Sequence, residues 1–183
     1  DFCLSRGLGD VYKRQPMTAL AATPALAPLS THADPRAAVI VDVDGTLARF
    51  DPDREGRWVL GPEKNWPAFF DVMDGTPVFP DVARLVRLLH SQGQAILICS
   101  GRPAAWQAQT ASWLQRHDIP FDAFYLRPEG ADALPDEVVK EALYARMQAD
   151  GFQPWLVLDD RDAVVAQWRS MGLTCLQCAP GAF

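Results

Sequence analysis

The stretch Val39-Ile40-Val41-Asp42-Val43-Asp44-Gly45-Thr46-Leu47 constrains this chain more than any other. The β-branched run from Val39 to Val41 reads as a strand buried on both faces, since an unbroken apolar segment leaves no side for water. Two carboxylates one residue apart follow at once, and Gly45-Thr46 then breaks the extended geometry. Carboxylates at the end of a buried strand are costly to desolvate unless a metal or a reaction uses them. The plainer alternative is a strand running into an acidic turn. The rest of the chain decides between the two.

From Ala37 onward, strands and helices alternate. After the first strand, residues 48–79 form an irregular insertion carrying Arg49, Arg54, Arg57 and Lys64, with one short helix expected from Trp66 to Asp71. Pro80-Asp81 opens a helix with Val82, Leu85, Val86 and Leu89 at i, i+3, i+4, i+7 spacing, and Gly93 ends it. Ala95–Cys99 is a second buried strand that runs into Ser100-Gly101-Arg102-Pro103, and the helix after it presents Trp106, Thr110, Trp113 and Leu114 on one face. Ala123–Leu126 is a third strand, followed by a polar loop with Arg127. A helix from Asp136 to about Ala149 buries Val139, Leu143 and Met147 and carries Lys140 near its start. Trp155–Leu158, ending in Asp159-Asp160-Arg161-Asp162, is a fourth strand. An amphipathic helix with Val164, Val165, Trp168 and Met171 leads to a last strand, Thr174–Gln177.

This alternation predicts an α/β fold: a Rossmann-like parallel sheet with helices on both faces and right-handed crossovers. The insertion after the first strand is small, so no large cap domain is expected. Residues 37–183 form one domain, and residues 1–36 an Ala-, Pro- and Thr-rich disordered tail. Asp1–Gln15 reads as a translated adaptor and is set aside. In open α/β sheets the active crevice lies beyond the carboxyl ends of the strands. Three of those ends carry the reactive residues: Asp42 with Asp44, Ser100 with Arg102, and Asp159 with Asp160. Topology alone therefore gathers them.

Charge narrows the function classes. Without Asp1–Gln15 the chain keeps 14 basic and 21 acidic residues, a net charge of −7. So acidic a protein is a poor general binder of long duplexes, which need many phosphate-neutralising contacts. It can still grip a single phosphate. No apolar run approaches a membrane span. Cys175-x-x-Cys178 lacks a second pair or a nearby His, and residues three apart on a strand face opposite sides, so core packing is expected. Prolines interrupt the apolar patch after Lys13-Arg14, and a reducing, cytoplasmic location is the expectation.

The motif D-x-D-G-T-L at 42–47, Ser100 after the second strand, Lys140, and Asp159-Asp160, in that order, resemble the signature of the haloacid dehalogenase superfamily of phosphotransferases. The resemblance implies Asp42 as a nucleophile that forms an aspartyl-phosphate and Asp44 as the acid and base for the two steps. It implies Mg2+ held by Asp42 and Asp159 through side chains, by Asp44 through its main-chain carbonyl, and by Asp160 directly or through water. Thr46 and Ser100 would bind the phosphoryl group, and Lys140 would neutralise charge on nucleophile and phosphate. Dehalogenation needs neither a second acid at position 44 nor magnesium and is disfavoured. A silent binding module is disfavoured because Asp42 and Asp44 are both present.

A closer likeness comes from SGR at 100–102, DEVVKE at 136–141, DDR-x-x-VV-x-x-WR at 159–169 and C-x-Q-x-x-x-G-x-F at 175–183. These are similar to the 3′-phosphatase half of the phage-type polynucleotide kinase/phosphatases. By that resemblance Arg102 grips the phosphate or its neighbour, Asp136 holds Lys140 in place, and Arg57 or else Arg54 reaches the substrate. The implied substrate is a nucleic-acid 3′ end, in a nucleic-acid repair setting of phage or host; the alternative is a nucleotide or another small phosphate ester. No G-x-x-x-x-G-K-[ST] loop occurs, so any kinase domain would be fused to or associated with this one.

Overall fold

The computed structural model describes residues 35–181. The expectations for the tail and for Asp1–Gln15 lie outside the described residues, except that Arg36, assigned above to the tail, is the first residue of a strand. Five strands form one parallel sheet: β1 (Arg36–Val41), β2 (Ala95–Pro103), β3 (Ala123–Arg127), β4 (Phe152–Arg161) and β5 (Thr174–Gly181), in the order β3-β2-β1-β4-β5. The first strand lies at the centre. The chain leaves it toward β2 and β3, then crosses back to add β4 and β5 on the other side. That reversal puts a topological switch between β1 and β4, where the carboxyl ends of adjacent strands open a crevice.

Period-two alternation divides the sheet residues between two cores. Val39 and Val41, Ile96 and Ile98, and Leu156 and Leu158 face one cluster; Ala38 and Ile40, Leu97 and Cys99, and Val157 face the other. Helices cover both. The segment after β1 holds α1 (Gly56–Val59) and α2 (Trp66–Met73), then α3 (Pro80–Ser91). With α4 (Gln107–Arg116) these pack on the first face through Phe69, Met73, Val86, Trp113 and Leu114. The second face is covered by α5 (Asp136–Ala149), through Val139, Leu143 and Met147, and by α6 (Asp162–Ser170), through Val164, Val165 and Trp168.

The sequence did not announce α1, which is one turn long. Strands β2, β4 and β5 also run past the boundaries expected from hydrophobicity: β2 continues through residues 100–103, β4 spans Phe152–Arg161 and β5 reaches Gly181. Cys175 packs in the second cluster and Cys178 against the first, the opposite faces that their spacing predicts. Among the described residues no helix is long and apolar enough to cross a membrane.

Candidate active site

Asp42 follows β1 directly, and its backbone N–H donates to Leu158 O of β4 at 3.0 Å. The chain then turns tightly, with the N–H groups of Thr46, Leu47 and Ala48 all donating to Val43 O. Gly45 is required twice over in this turn. Its φ of +91° is a left-handed value, and a Cβ there would collide with the Asp160 carboxylate. The carboxyl ends of β1 and β4 thus approach until Asp42, Asp159 and Asp160 offer carboxylate oxygens all within 4.8 Å of one another, every one of these residues buried.

Lys140 enters this cluster from the first turns of α5. Its Nζ donates to Asp42 Oδ1 at 2.9 Å and to Asp159 Oδ2 at 2.8 Å, and lies 3.8 Å from Asp136 Oδ2 one helical turn earlier. Burial works against the ammonium, yet Asp159, Asp42 and Asp136 around it hold its pKa well above the usual lysine range. Asp42 is pushed well up, first by burial and then by Asp159, Asp160 and Asp44, with Lys140 opposing. Asp160 is pushed up to about 7 by burial and by Asp159.

The two carboxylates at the end of β4 are bonded very differently. Asp159 accepts from Lys140 and from Trp168 Nε1 on one oxygen, and from the N–H groups of Asp160 and Arg161 on the other. Asp160 accepts from Thr46 Oγ1 at 3.2 Å on Oδ1, while its buried Oδ2 has no hydrogen-bond partner. A buried, unpaired carboxylate oxygen is costly. Beside two more carboxylates, in a donor set made only of oxygen, it suits a hard divalent cation.

Arg102 and Asp44 form the other half of the site. The guanidinium is buried and grips both Asp44 oxygens, from Nε at 2.7 Å and Nη2 at 2.6 Å, while Nη1 donates to Thr110 Oγ1 at 3.1 Å. Two parallel charge-assisted bonds of this kind fix the plane of a carboxylate. The guanidinium is thus engaged by a carboxylate of the site itself. Its principal partner is Asp44, and what it offers a ligand is its remaining N–H capacity and its charge. Ser100 is buried beside it, with Oγ accepting from Arg102 N at 3.2 Å.

Asp136 is a hub. It receives Arg127 Nη2 at 3.0 Å and Arg161 Nη1 at 3.3 Å besides facing Lys140. Burial would raise its pKa, but Lys140, Arg161 and Arg127 together hold it below the usual carboxylate value. A Cβ on Gly101 would come within 2.5 Å of Asp136 Oδ1, so only glycine lets the end of β2 pass this carboxylate. Arg127 also donates to the carbonyls of Gly101, Ala131 and Leu134, tying the loop after β3 to the site.

These groups open onto a cavity of about 890 Å³ lined by Asp42, Asp44, Ser100, Arg102, Arg127, Asp136 and Arg161 on one side. Lys64, Trp66, Phe70 and Trp106 line the other. The structure brings together Asp42, Asp44, Thr46, Ser100, Arg102, Asp136, Lys140, Asp159 and Asp160. It does not bring in Arg57. That side chain is exposed on α1 with its guanidinium 4.8 Å from the Trp58 ring centroid, outside the cavity, and Arg54 lines a separate, smaller one. Its one-turn helix α1, which no sequence pattern marked, is what carries Arg57 away. The insertion's cation at the site is Lys64. Sequence reasoning also passed over Arg127 and Arg161, although both stand at carboxyl ends of strands, the rule that found the others.

The description "polynucleotide kinase PNKP phosphatase domain" belongs to the family whose sequence model matches residues 36–183. Among solved structures, a chain of the Pnkp1/Rnl/Hen1 complex is 26% identical, with a TM-score of 0.67 over 88% of this chain and 51% of that one. A chain of the Pnkp1/Rnl/Hen1 RNA repair complex is 25% identical, with a TM-score of 0.66 over 88% and 48%. The chain thus spans about half the length of these relatives. A class C acid phosphatase from Bacillus anthracis shares the fold at 14% identity, with a TM-score of 0.57 over 82% of this chain and 69% of that one.

Proposed function

This chain belongs to the polynucleotide kinase PNKP phosphatase-domain family of the haloacid dehalogenase superfamily and is a phosphatase; from that premise we propose that it removes 3′-phosphates from polynucleotide ends through an aspartyl-phosphate on Asp42. The observation that carries this reading is the Lys140-centred cluster of Asp42, Asp159 and Asp160 beside the Arg102-clamped Asp44.

Asp42 attacks phosphorus through one carboxylate oxygen, the phosphorus–ester oxygen bond breaks, and the leaving 3′-oxygen takes a proton from Asp44. In the second step Asp44 takes a proton from a water, the water oxygen attacks the same phosphorus, and inorganic phosphate leaves as Asp42 is restored. Lys140 holds the nucleophile's orientation from Asp42 Oδ1. Arg102 keeps Asp44 aimed at one place for both of its proton transfers, and Ser100 is placed to donate to a phosphoryl oxygen.

The charge balance supports a metal. Seven carboxylates line the cavity or join its ion pairs and acidic cluster (Asp42, Asp44, Glu129, Asp132, Asp136, Asp159, Asp160) against five cations (Lys64, Arg102, Arg127, Lys140, Arg161), which when all are ionised leaves the site negative toward a dianionic phosphate. Asp42, Asp159 and Asp160 would hold Mg2+ through carboxylate oxygens, with the Asp44 main-chain carbonyl a further ligand. When bound, the ion supplies the positive charge that lets a phosphate approach two carboxylates. The unpaired Asp160 Oδ2 is the carboxylate oxygen that would be left to serve such an ion, directly or through a water.

The family description and the RNA repair complex among the relatives support a polynucleotide substrate and a repair setting, with a kinase domain fused or associated. The open cavity, with only short helices in the insertion after β1, accommodates a bulky leaving group. The test compares kcat/KM with Mg2+ for a short single-stranded 3′-phosphorylated oligonucleotide, a free 3′-mononucleotide and a sugar phosphate. The oligonucleotide is expected to lead. A preference for either small ester would replace this reading with a nucleotide or small-molecule phosphatase.

A further inference from the structure

Thr110 stands where an apolar residue would be expected. It lies in the first turns of α4, wholly buried, on the helix that carries Trp113 and Leu114 into the first apolar cluster. A valine would fill the same volume there with no hydroxyl to satisfy. The hydroxyl is used twice. It donates to Trp106 O, one helical turn back, at 2.9 Å, and accepts from Arg102 Nη1 at 3.1 Å. A guanidinium has donors only, so both directions are fixed: the hydroxyl hydrogen goes to the carbonyl and a lone pair faces Arg102. The remaining nitrogens of that guanidinium hold both oxygens of Asp44, from Nε at 2.7 Å and Nη2 at 2.6 Å. Asp44 is the most open member of this row, with 13% of its side chain exposed against 1% for Arg102.

We infer that Thr110 is a positioning residue for proton transfer at Asp44: its hydroxyl, anchored on Trp106 O, sets the rotation of the Arg102 fork, and the fork sets the plane of the Asp44 carboxyl. This rests on the role of Asp44 as acid and base in the reading above. A fork bound only through Nε and Nη2 can swing together with the carboxylate as one body. The third contact ties it to the backbone of a helix, which is a rigid support. Proton transfer is sensitive to that swing, because the acid must sit within hydrogen-bond reach of the leaving oxygen. Removing the hydroxyl leaves a buried N–H unpaired, and the guanidinium turns toward another acceptor.

The test uses the full chain with Mg2+ and two substrates, a single-stranded oligonucleotide ending in a 3′-phosphate and p-nitrophenyl phosphate. The sugar oxygen must be protonated as it leaves, whereas nitrophenolate leaves as a stable anion and needs no acid. The ratio kcat/KM reports the steps up to departure of the leaving group, before Asp44 acts again on water. Thr110→Val should lower kcat/KM for the oligonucleotide about tenfold, a part of the roughly 10²–10⁴ that a positioned acid contributes, and leave that for p-nitrophenyl phosphate within about twofold. Thr110→Ser, which keeps the hydroxyl, should stay within about twofold of wild type on both. An oligonucleotide value within about twofold in Thr110→Val, equal losses on both esters, or the same selective loss in Thr110→Ser would overturn the inference. Should Thr110→Val not fold, Thr110→Ala against Thr110→Ser decides by the same criteria, since those two differ by the hydroxyl alone. Asp44→Asn tests the reading beneath: a loss no greater on the oligonucleotide than on p-nitrophenyl phosphate would show that Asp44 is not the acid and would overturn both. If adenosine 3′-monophosphate is hydrolysed and the oligonucleotide is not, the polynucleotide reading alone fails, and the mononucleotide takes its place in the comparison.

Discussion

Replacing Lys140 by methionine keeps the length of the side chain and removes the one ammonium that faces Asp42, Asp159 and Asp136. All four groups are buried, so the variant strands charge away from water. Breaking a buried pair by deleting one partner costs about 3–5 kcal/mol, and here Lys140 has two partners within 2.9 Å and a third at 3.8 Å. In a domain this size each kcal/mol lowers Tm by about 2–4 °C, so a fall of roughly 6–20 °C is expected in EDTA at neutral pH. Lowering the pH should narrow the gap, because the stranded carboxylates protonate and shed their charge. A Lys140→Met/Asp159→Asn double variant should recover part of the loss, since it removes one of the uncompensated charges. Thermal and urea unfolding of the three proteins, with EDTA and with Mg2+, measures all of this. A single variant within about 1 kcal/mol of wild type in EDTA at pH 7 would refute the reasoning, because Lys140 would then not be the charge that holds the cluster together.

Asp160 makes the metal-free protein pH-sensitive in a defined direction. Its carboxyl is pushed up to about 7 when folded, so between about pH 4 and 7 the folded state holds a proton that the unfolded chain has released. Stability in EDTA should therefore fall as pH rises through that window, and the apparent affinity for Mg2+ should increase over the same range as ion and proton compete; a Tm series from pH 5 to 8 with calorimetric Mg2+ titrations reads both. Arg57→Ala should leave KM for a 3′-phosphorylated oligonucleotide within about twofold of wild type, because the side chain lies outside the cavity; a larger rise in steady-state KM would return Arg57 to the substrate.

Much of this candidate site is legible in the sequence because backbone topology controls it. Asp42, Ser100 and Asp159 are found by the rule that parallel strands deliver their carboxyl ends to one crevice, whereas Lys140, on a helix, was singled out only by the family resemblance. Arg57 shows the limit of such reading. An irregular insertion has no period, so nothing in residues 48–79 reveals that a one-turn helix directs this arginine away from the cavity while Lys64 and Trp66 come to its rim. The pairing of Arg102 with Asp44 was equally invisible. Sequence shows that both lie at strand ends, but which anion a guanidinium takes depends on distances of a few ångströms across two strands. Asp136 was tied to Lys140 only through the family resemblance, and in the structure it lies 3.8 Å from the ammonium, whereas Arg127 and Arg161 reach it from β3 and β4, which only the folded sheet brings close.

The proposed reaction turns on a covalently phosphorylated Asp42. Mixing excess enzyme with a 3′-[32P]-phosphorylated oligonucleotide, quenching in acid within milliseconds and mapping the labelled peptide tests it without a steady-state assumption. The expected result is an acid-stable, hydroxylamine-sensitive acyl-phosphate on the peptide that contains Asp42, no label in a folded Asp42→Asn variant, and loss of essentially all turnover in that variant. Label on another residue, or Asp42→Asn activity within about tenfold of wild type, would contradict it.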